Sequence, residues 1–202
     1  PATGRAPEWS TGLFALDRPG SFTHFYDTMS FGRLVLTGEV AGHWYEAEGA
    51  SRDYLATDHA APGDYGRFSA QILRRADADI DFTRFDNDGP DGIPGSTDDD
   101  GRVDAVFLVL AHVPRNFLVG SATGIANLGL TEDYVTHDIG PKGPVVIPSD
   151  HGVVLQGRSY PETVGTMAHE FGHLLGLPDL FDTAFTQSDT PLPPSRDSAG
   201  IG

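Results

Sequence analysis

Ser159-Tyr-Pro-Glu-Thr-Val-Gly-Thr-Met-Ala-His-Glu-Phe-Gly-His-Leu-Leu-Gly-Leu-Pro-Asp179 is the stretch whose reading decides the fold. Ser159 with Glu162 three positions on and Pro161 between them is a capping-box signature that opens a helix. Val164, Met167, Ala168, Phe171, Leu174 and Leu175 then recur at helical spacing as a buried stripe, and Gly176 stands where a left-handed C-terminal cap belongs. His169 and His173 are about one helical turn apart, so both imidazoles leave one face and can share a metal ion. Two unpaired histidines beside an apolar stripe would otherwise be costly. Glu170, next to the first of them, is placed to take a proton from water at that metal and hand it to a leaving amine. Asp179 follows the Gly176 turn and is expected as third ligand, leaving a fourth position open. Asp182 is its rival, with orientation of a ligating histidine or capping of the next turn as its other role. The expectation is zinc on His169, His173 and Asp179, with Glu170 as the catalytic base.

Upstream, Ser21 reads as the N-cap of a short helix carrying Phe22, Phe25, Tyr26 and Met29, stopped by Gly32. Leu34 to Val40 reads as a strand, which Trp44 and Tyr45 continue or follow. Phe68, Ile72, Leu73 and Ala76 mark a second helix, ending near Ala78. Val103 to Ala111 is nearly continuous and apolar, as a buried central strand would be. Pro114 to Gly143 has no clear period and reads as a surface excursion. Val145–Ile147 and Val153–Leu155 flank a turn, so a hairpin or an edge strand bordering a cleft is expected there, pairing with a substrate backbone. Residues 1–20 read as an N-terminal arm, and 183–202, rich in Pro, Ser and Thr, as a C-terminal loop.

Composition narrows the classes. At 202 residues and 39% hydrophobic the chain suits one domain. No apolar run is long enough to cross a bilayer, so no membrane span is expected. With no cysteine, disulfides and thiolate metal sites are excluded. A formal charge of -16 argues against a non-specific nucleic-acid surface and suits an extracellular or salty medium. The start at Pro1, with no initiator Met and no leader, suits a mature or trimmed product.

The acids are unevenly spread. Asp86-Asn-Asp-Gly-Pro-Asp-Gly-Ile93 resembles the alternating carboxylate loops that wrap calcium, although its third acid comes one position late for an EF-hand and no closing Glu follows. A calcium site built from Asp86, Asp88, Asp91 and the Ile93 carbonyl, shared with Asp98, Asp100 and Asp104, is expected, because so many carboxylates would otherwise repel one another. Asp99 is the acid assigned to solvent. Of the remaining histidines, His112 and His137 are the first to consider for substrate or oxyanion contacts, and structural roles are the default for His24, His43, His59 and His151.

His-Glu-Phe-Gly-His-Leu-Leu-Gly-Leu-Pro-Asp-Leu-Phe-Asp (169–182) and Asp-Asn-Asp-Gly-Pro-Asp-Gly-Ile-Pro with Asp-Asp-Asp-Gly-Arg-Val-Asp-Ala-Val-Phe (86–107) resemble the immune inhibitor A family of secreted metallopeptidases. A weaker echo lies in Phe25 to Leu34, so the resemblance runs from about residue 22 to 182. It implies an α+β, zincin-like catalytic domain with a mixed twisted sheet and an active-site helix, zinc, structural calcium, secretion and endopeptidase activity of the EC 3.4.24 class on proteins or peptides. The same resemblance carries zinc ligation onto His169, His173 and Asp179, the base onto Glu170 and calcium onto Asp86 to Asp104. It also implies an apolar first strand before residue 20 and, after residue 202, a turn containing Met. The domain is accordingly expected to be incomplete at both ends: either the remaining fragment is held as a separate chain among its partners, or the chain lacks the floor of its active site. The competing expectation is a calcium-stabilised binding module with a vestigial or structural zinc site, against which Glu170 argues, since a structural site needs no base.

Overall fold

Gly152-Val-Val-Leu-Gln156 is the short run around which the rest is arranged. The computed structural model describes residues 4–179, so the expectations for Asp182 and for the loop at 183–202 lie outside the described residues. All five residues of this run are buried, and they form the middle strand of a three-stranded mixed sheet. In chain order the elements are α1 (Phe22–Met29), α2 (Tyr65–Ala76), β1 (Val106–Leu110), β2 (Gly124–Ile125), β3 (Tyr134–Gly140), β4 (Gly143–Ile147), β5 (Gly152–Gln156) and α3 (Tyr160–Leu174), with short 3₁₀ turns at Glu8–Gly12, Ser51–Tyr54 and Phe82–Phe85. β1 pairs with β5 in parallel, Val106 opposite Gly152 through Leu110 opposite Gln156. β2 pairs antiparallel on the other side of β5, Gly124 opposite Leu155. β3 and β4 form a separate hairpin.

Alternation along β5 divides the interior in two. Val154 faces one core, shared with Leu73, Val103, Leu108, Leu118, Leu128 and Ile147. Val153 and Leu155 face the other, shared with Phe22, Tyr26, Val164, Met167 and Phe171. Each such side chain withdrawn from water contributes about 1.5–3 kcal/mol. The second core fixes α3: Phe22 and Tyr26 of α1 meet the Phe171 ring edge-on at 5.5 and 5.3 Å. The Tyr26 hydroxyl donates to the Ala168 carbonyl at 2.7 Å.

Both forecast helices before the acidic loop form, and Ser21 caps α1 by accepting from the His24 N–H at 3.0 Å. Several expectations are corrected. Leu34 to Val40 alternates in burial, with Leu34 and Leu36 packed inward and Val35 and Val40 exposed, but it joins no sheet among the described residues. β1 is an edge strand, not the central one, because β5 takes that place. β1 lines an apolar cavity of about 1370 Å³ together with Leu34 and Leu36. Residues 114–143 are no surface excursion: they supply β2, β3 and the buried Phe117, Leu118 and Leu128. Nor do residues 4–20 stand apart as an arm, since Leu13 is buried and Phe14 packs on Phe22 at 5.7 Å. The capping box at α3 is also rearranged. Ser159 makes no side-chain cap, and Glu162 instead takes Arg158 in a fork and accepts from Gln156 Nε2 at 2.8 Å.

Candidate metal centre

α3 ends as the sequence requires. Gly176 has φ +82°, a conformation that a side chain resists, and there the Gly176 N–H bonds the His173 carbonyl at 2.9 Å while the Leu177 N–H bonds that of Gly172 at 3.0 Å. This paired arrangement turns the chain back over the last helical turn. Asp179 is thereby delivered to the histidine face, its Oδ1 lying 3.2 Å from His169 Nε2 and 3.4 Å from His173 Nε2.

A second bond sets the chemistry of that corner. His173 Nδ1 lies 2.9 Å from the Leu177 carbonyl, which can only accept, so Nδ1 carries a proton. In the neutral ring Nε2 is then a bare lone pair. A lone pair and a carboxylate oxygen 3.4 Å apart repel unless the ring is protonated or a cation sits between them. The spacing suits the second case: with metal–ligand bonds of about 2.0–2.1 Å, the edge of a tetrahedral zinc shell is about 3.3 Å. The ring planes of His169 and His173 stand at 87° with centroids 5.0 Å apart. Both rings remain partly open to solvent. His169, Glu170 and His173 offer ligand atoms within 4.8 Å of one another.

Glu170 occupies different surroundings from the two histidines. It is only 8% exposed. Burial pushes its pKa up, and Asp179 adds to the push. Against it act the two histidines and the Ala126 amide, which favour the charged form. β2 therefore lies against the carboxylate, a neighbourhood that a two-residue strand inside a Gly-rich stretch gave no periodic signal to reveal. Tyr26 on the Ala168 carbonyl and Leu177 on His173 were likewise invisible in the chain, since each depends on a turn or packing contact between separate segments.

The acidic loop divides. Asp86, Asp88 and Asp100 bring carboxylate oxygens within 4.8 Å of one another, and Asp104 feels all three, its pKa pushed up to about 6 chiefly by burial and then by their charges. Asp86 is 2% exposed, with Oδ2 accepting from the Gly101 N–H and Oδ1 buried without a hydrogen-bond partner among the described residues. The remaining expected ligands are engaged in a turn of their own: Asp91 accepts from the Ile93 N–H at 2.7 Å, and Asp98 accepts from Ser96 and from the Asp91 N–H. Asp99 is not the solvent-facing acid. It is 1% exposed and ties the loop together by accepting from the Gly89 and Ser96 amides at 2.8 and 2.7 Å. Neither spare histidine joins the centre through a hydrogen bond among the described residues: His137 pairs with buried Asp77 at 2.6 Å, and His112 borders the apolar cavity beside β1.

Two comparisons with known proteins find a match. The model of the immune inhibitor A peptidase M6 catalytic domain matches residues 11–194. Immune inhibitor A of Bacillus thuringiensis subsp. alesti is 30% identical over 195 residues, a match that takes in 85% of this chain and 27% of that relative. The chain thus spans about a quarter of the relative it matches.

Proposed function

Because the chain belongs to the immune inhibitor A peptidase M6 family, we propose that it is the zinc-dependent catalytic domain of a secreted endopeptidase, of zincin-like fold. His169, His173 and Asp179 hold the zinc, and Glu170 is the general base. The observation that carries this is the Asp179 oxygen set between two imidazole Nε2 atoms, one of them forced by the Leu177 carbonyl to present a lone pair. Zinc held there would polarise the scissile carbonyl and lower the pKa of water to about 7.

The chain's own groups account for the rest. Glu170, less acidic than an exposed carboxylate because it is buried, takes the proton of the attacking water and returns it to the leaving nitrogen. The substrate strand pairs with β2, not with the 145–155 region expected from sequence, because β5 is flanked on both sides and β4 belongs to another sheet. Gln156 N–H bonds the Thr123 carbonyl, so by antiparallel alternation the Gly124 N–H and C=O point away from β5, toward the open edge. An extended peptide can add there as a strand beside Glu170.

Calcium at Asp86, Asp88, Asp100 and Asp104 belongs to the same proposal. The partnerless, buried Asp86 Oδ1 and the mutual repulsion of the four carboxylates support it. Among the described residues no helix is long and apolar enough to cross a membrane. Secretion rests on the family alone.

Casein hydrolysis by the zinc-loaded chain and by Glu170→Ala, at matched zinc content, tests the reading. The variant should lose about 10²- to 10⁴-fold in rate, the usual worth of a positioned base. Equal rates in the two proteins would remove the peptidase assignment.

A further inference from the structure

Gly124 occupies a strand, where glycine forfeits packing and costs backbone entropy. Its φ is not in the left-handed region, so the backbone there would accept an L-residue without strain. Space is what its neighbours deny. A Cβ at position 124 would overlap Glu170 Oε1 and stand 3.0 Å from Glu170 Cδ and 2.7 Å from Thr166 Cγ2. The other glycine of this sheet, Gly152, is confined by the apolar side chain of Leu128 instead.

We propose that Gly124 is a positioning residue for Glu170: the missing side chain lets β2 close on α3 with the carboxylate held between the strand and the histidine face. The inference rests on the reading of Glu170 as the base. The same segment supports it, for the Ala126 amide, just past β2, acts on the carboxylate and favours its charged form. β2 thus supplies an empty volume that fits the carboxylate, with the Ala126 amide near it just past the strand. An added methyl group at 124 has to turn the Glu170 side chain or lift β2 off the helix. Displacement of a reacting group by about 1 Å can cost 10²-fold in rate.

The test is Gly124→Ala in a Thr166→Ser background, which removes the competing methyl contact, with and without Glu170→Ala. In the zinc-loaded chain Gly124→Ala should lower kcat on a fluorogenic peptide about 10- to 100-fold, with bound zinc unchanged by chelator competition and KM changed less than threefold. Thermal unfolding gives a readout independent of activity. Gly124→Ala should lower Tm when Glu170 is present and raise it slightly or leave it unchanged when residue 170 is alanine, the non-additivity expected of touching side chains. An equal Tm loss in both backgrounds overturns the proposal, as does full kcat in Gly124→Ala. If the parent chain fails to cleave any peptide, the peptidase reading falls, while the melting comparison still decides whether positions 124 and 170 compete for the same space.

Discussion

His173 is held by two partners that make complementary demands. The Leu177 carbonyl fixes the proton on Nδ1, and Asp179 faces the opposite nitrogen, so a backbone turn determines how the ring can ligate. The grouping of His169, Glu170, His173 and Asp179 could be read from the chain, because helical spacing places the first three and a glycine turn the fourth. Asp99 could not. Its carboxylate is buried by amides that approach only once the loop has closed, and composition alone makes it resemble its solvent-facing neighbours. Glu162 offers a pH test at this scale. Arg158, followed by Gln156, holds its carboxyl down at about 2 from an ordinary 4.5. A depressed folded-state pKa contributes stability that is complete above the unfolded value and lost as pH falls from about 4.5 toward 2. The Tm difference between wild type and Glu162→Gln should therefore be largest near neutral pH and shrink steadily below about pH 4.5. A difference that is constant with pH would show the charge to be irrelevant.

Elements with one apolar face were the readable ones. α1, α2 and α3 each bury a helical stripe, and α1 and α3 begin directly after Ser21 and Ser159, the residues that marked their starts. Strands fared worse, because pairing joins segments remote in the chain. Leu34 to Val40 alternates as a strand should and finds no ladder, whereas Tyr134–Gly140 forms a strand through Thr136 and its partners on β4. α1 supports the histidine helix from outside the site, so loosening its cap should be felt as stability. Ser21→Ala, which leaves the His24 N–H without its acceptor, should cost about 1 kcal/mol in chemical denaturation. The acidic loop makes the sharper forecast. Calcium at a hundred times its dissociation constant should stabilise the chain by about 2.7 kcal/mol. In Asp86→Asn that increment should vanish, and an unaltered calcium response would remove Asp86 from the ligand set.

At the scale of the whole molecule, a sheet three strands wide separates two cores and brings its shortest strand beside the helix that bears the chemistry. That the domain mixes helices and strands was legible from its helical and β-branched runs. The strand order was not, because β1 looks more apolar than β5 yet lies at the edge. What β1 lacks is burial on both sides: only Leu108 of its five residues is buried, against all five in β5. The arrangement gives the candidate site a fixed wall, β2, and a fixed floor, α3, with the chain turn at Gly176 closing the third side.

Zinc K-edge X-ray absorption on the zinc-reconstituted chain bears most directly on the claim that His169, His173 and Asp179 share one ion. Two imidazoles and a carboxylate around zinc give a four-coordinate nitrogen and oxygen shell at about 2.0–2.1 Å, with outer-shell scattering from two rings that falls to one in His173→Ala. A spectrum with fewer than two imidazoles, or one that His173→Ala leaves unchanged, would contradict it.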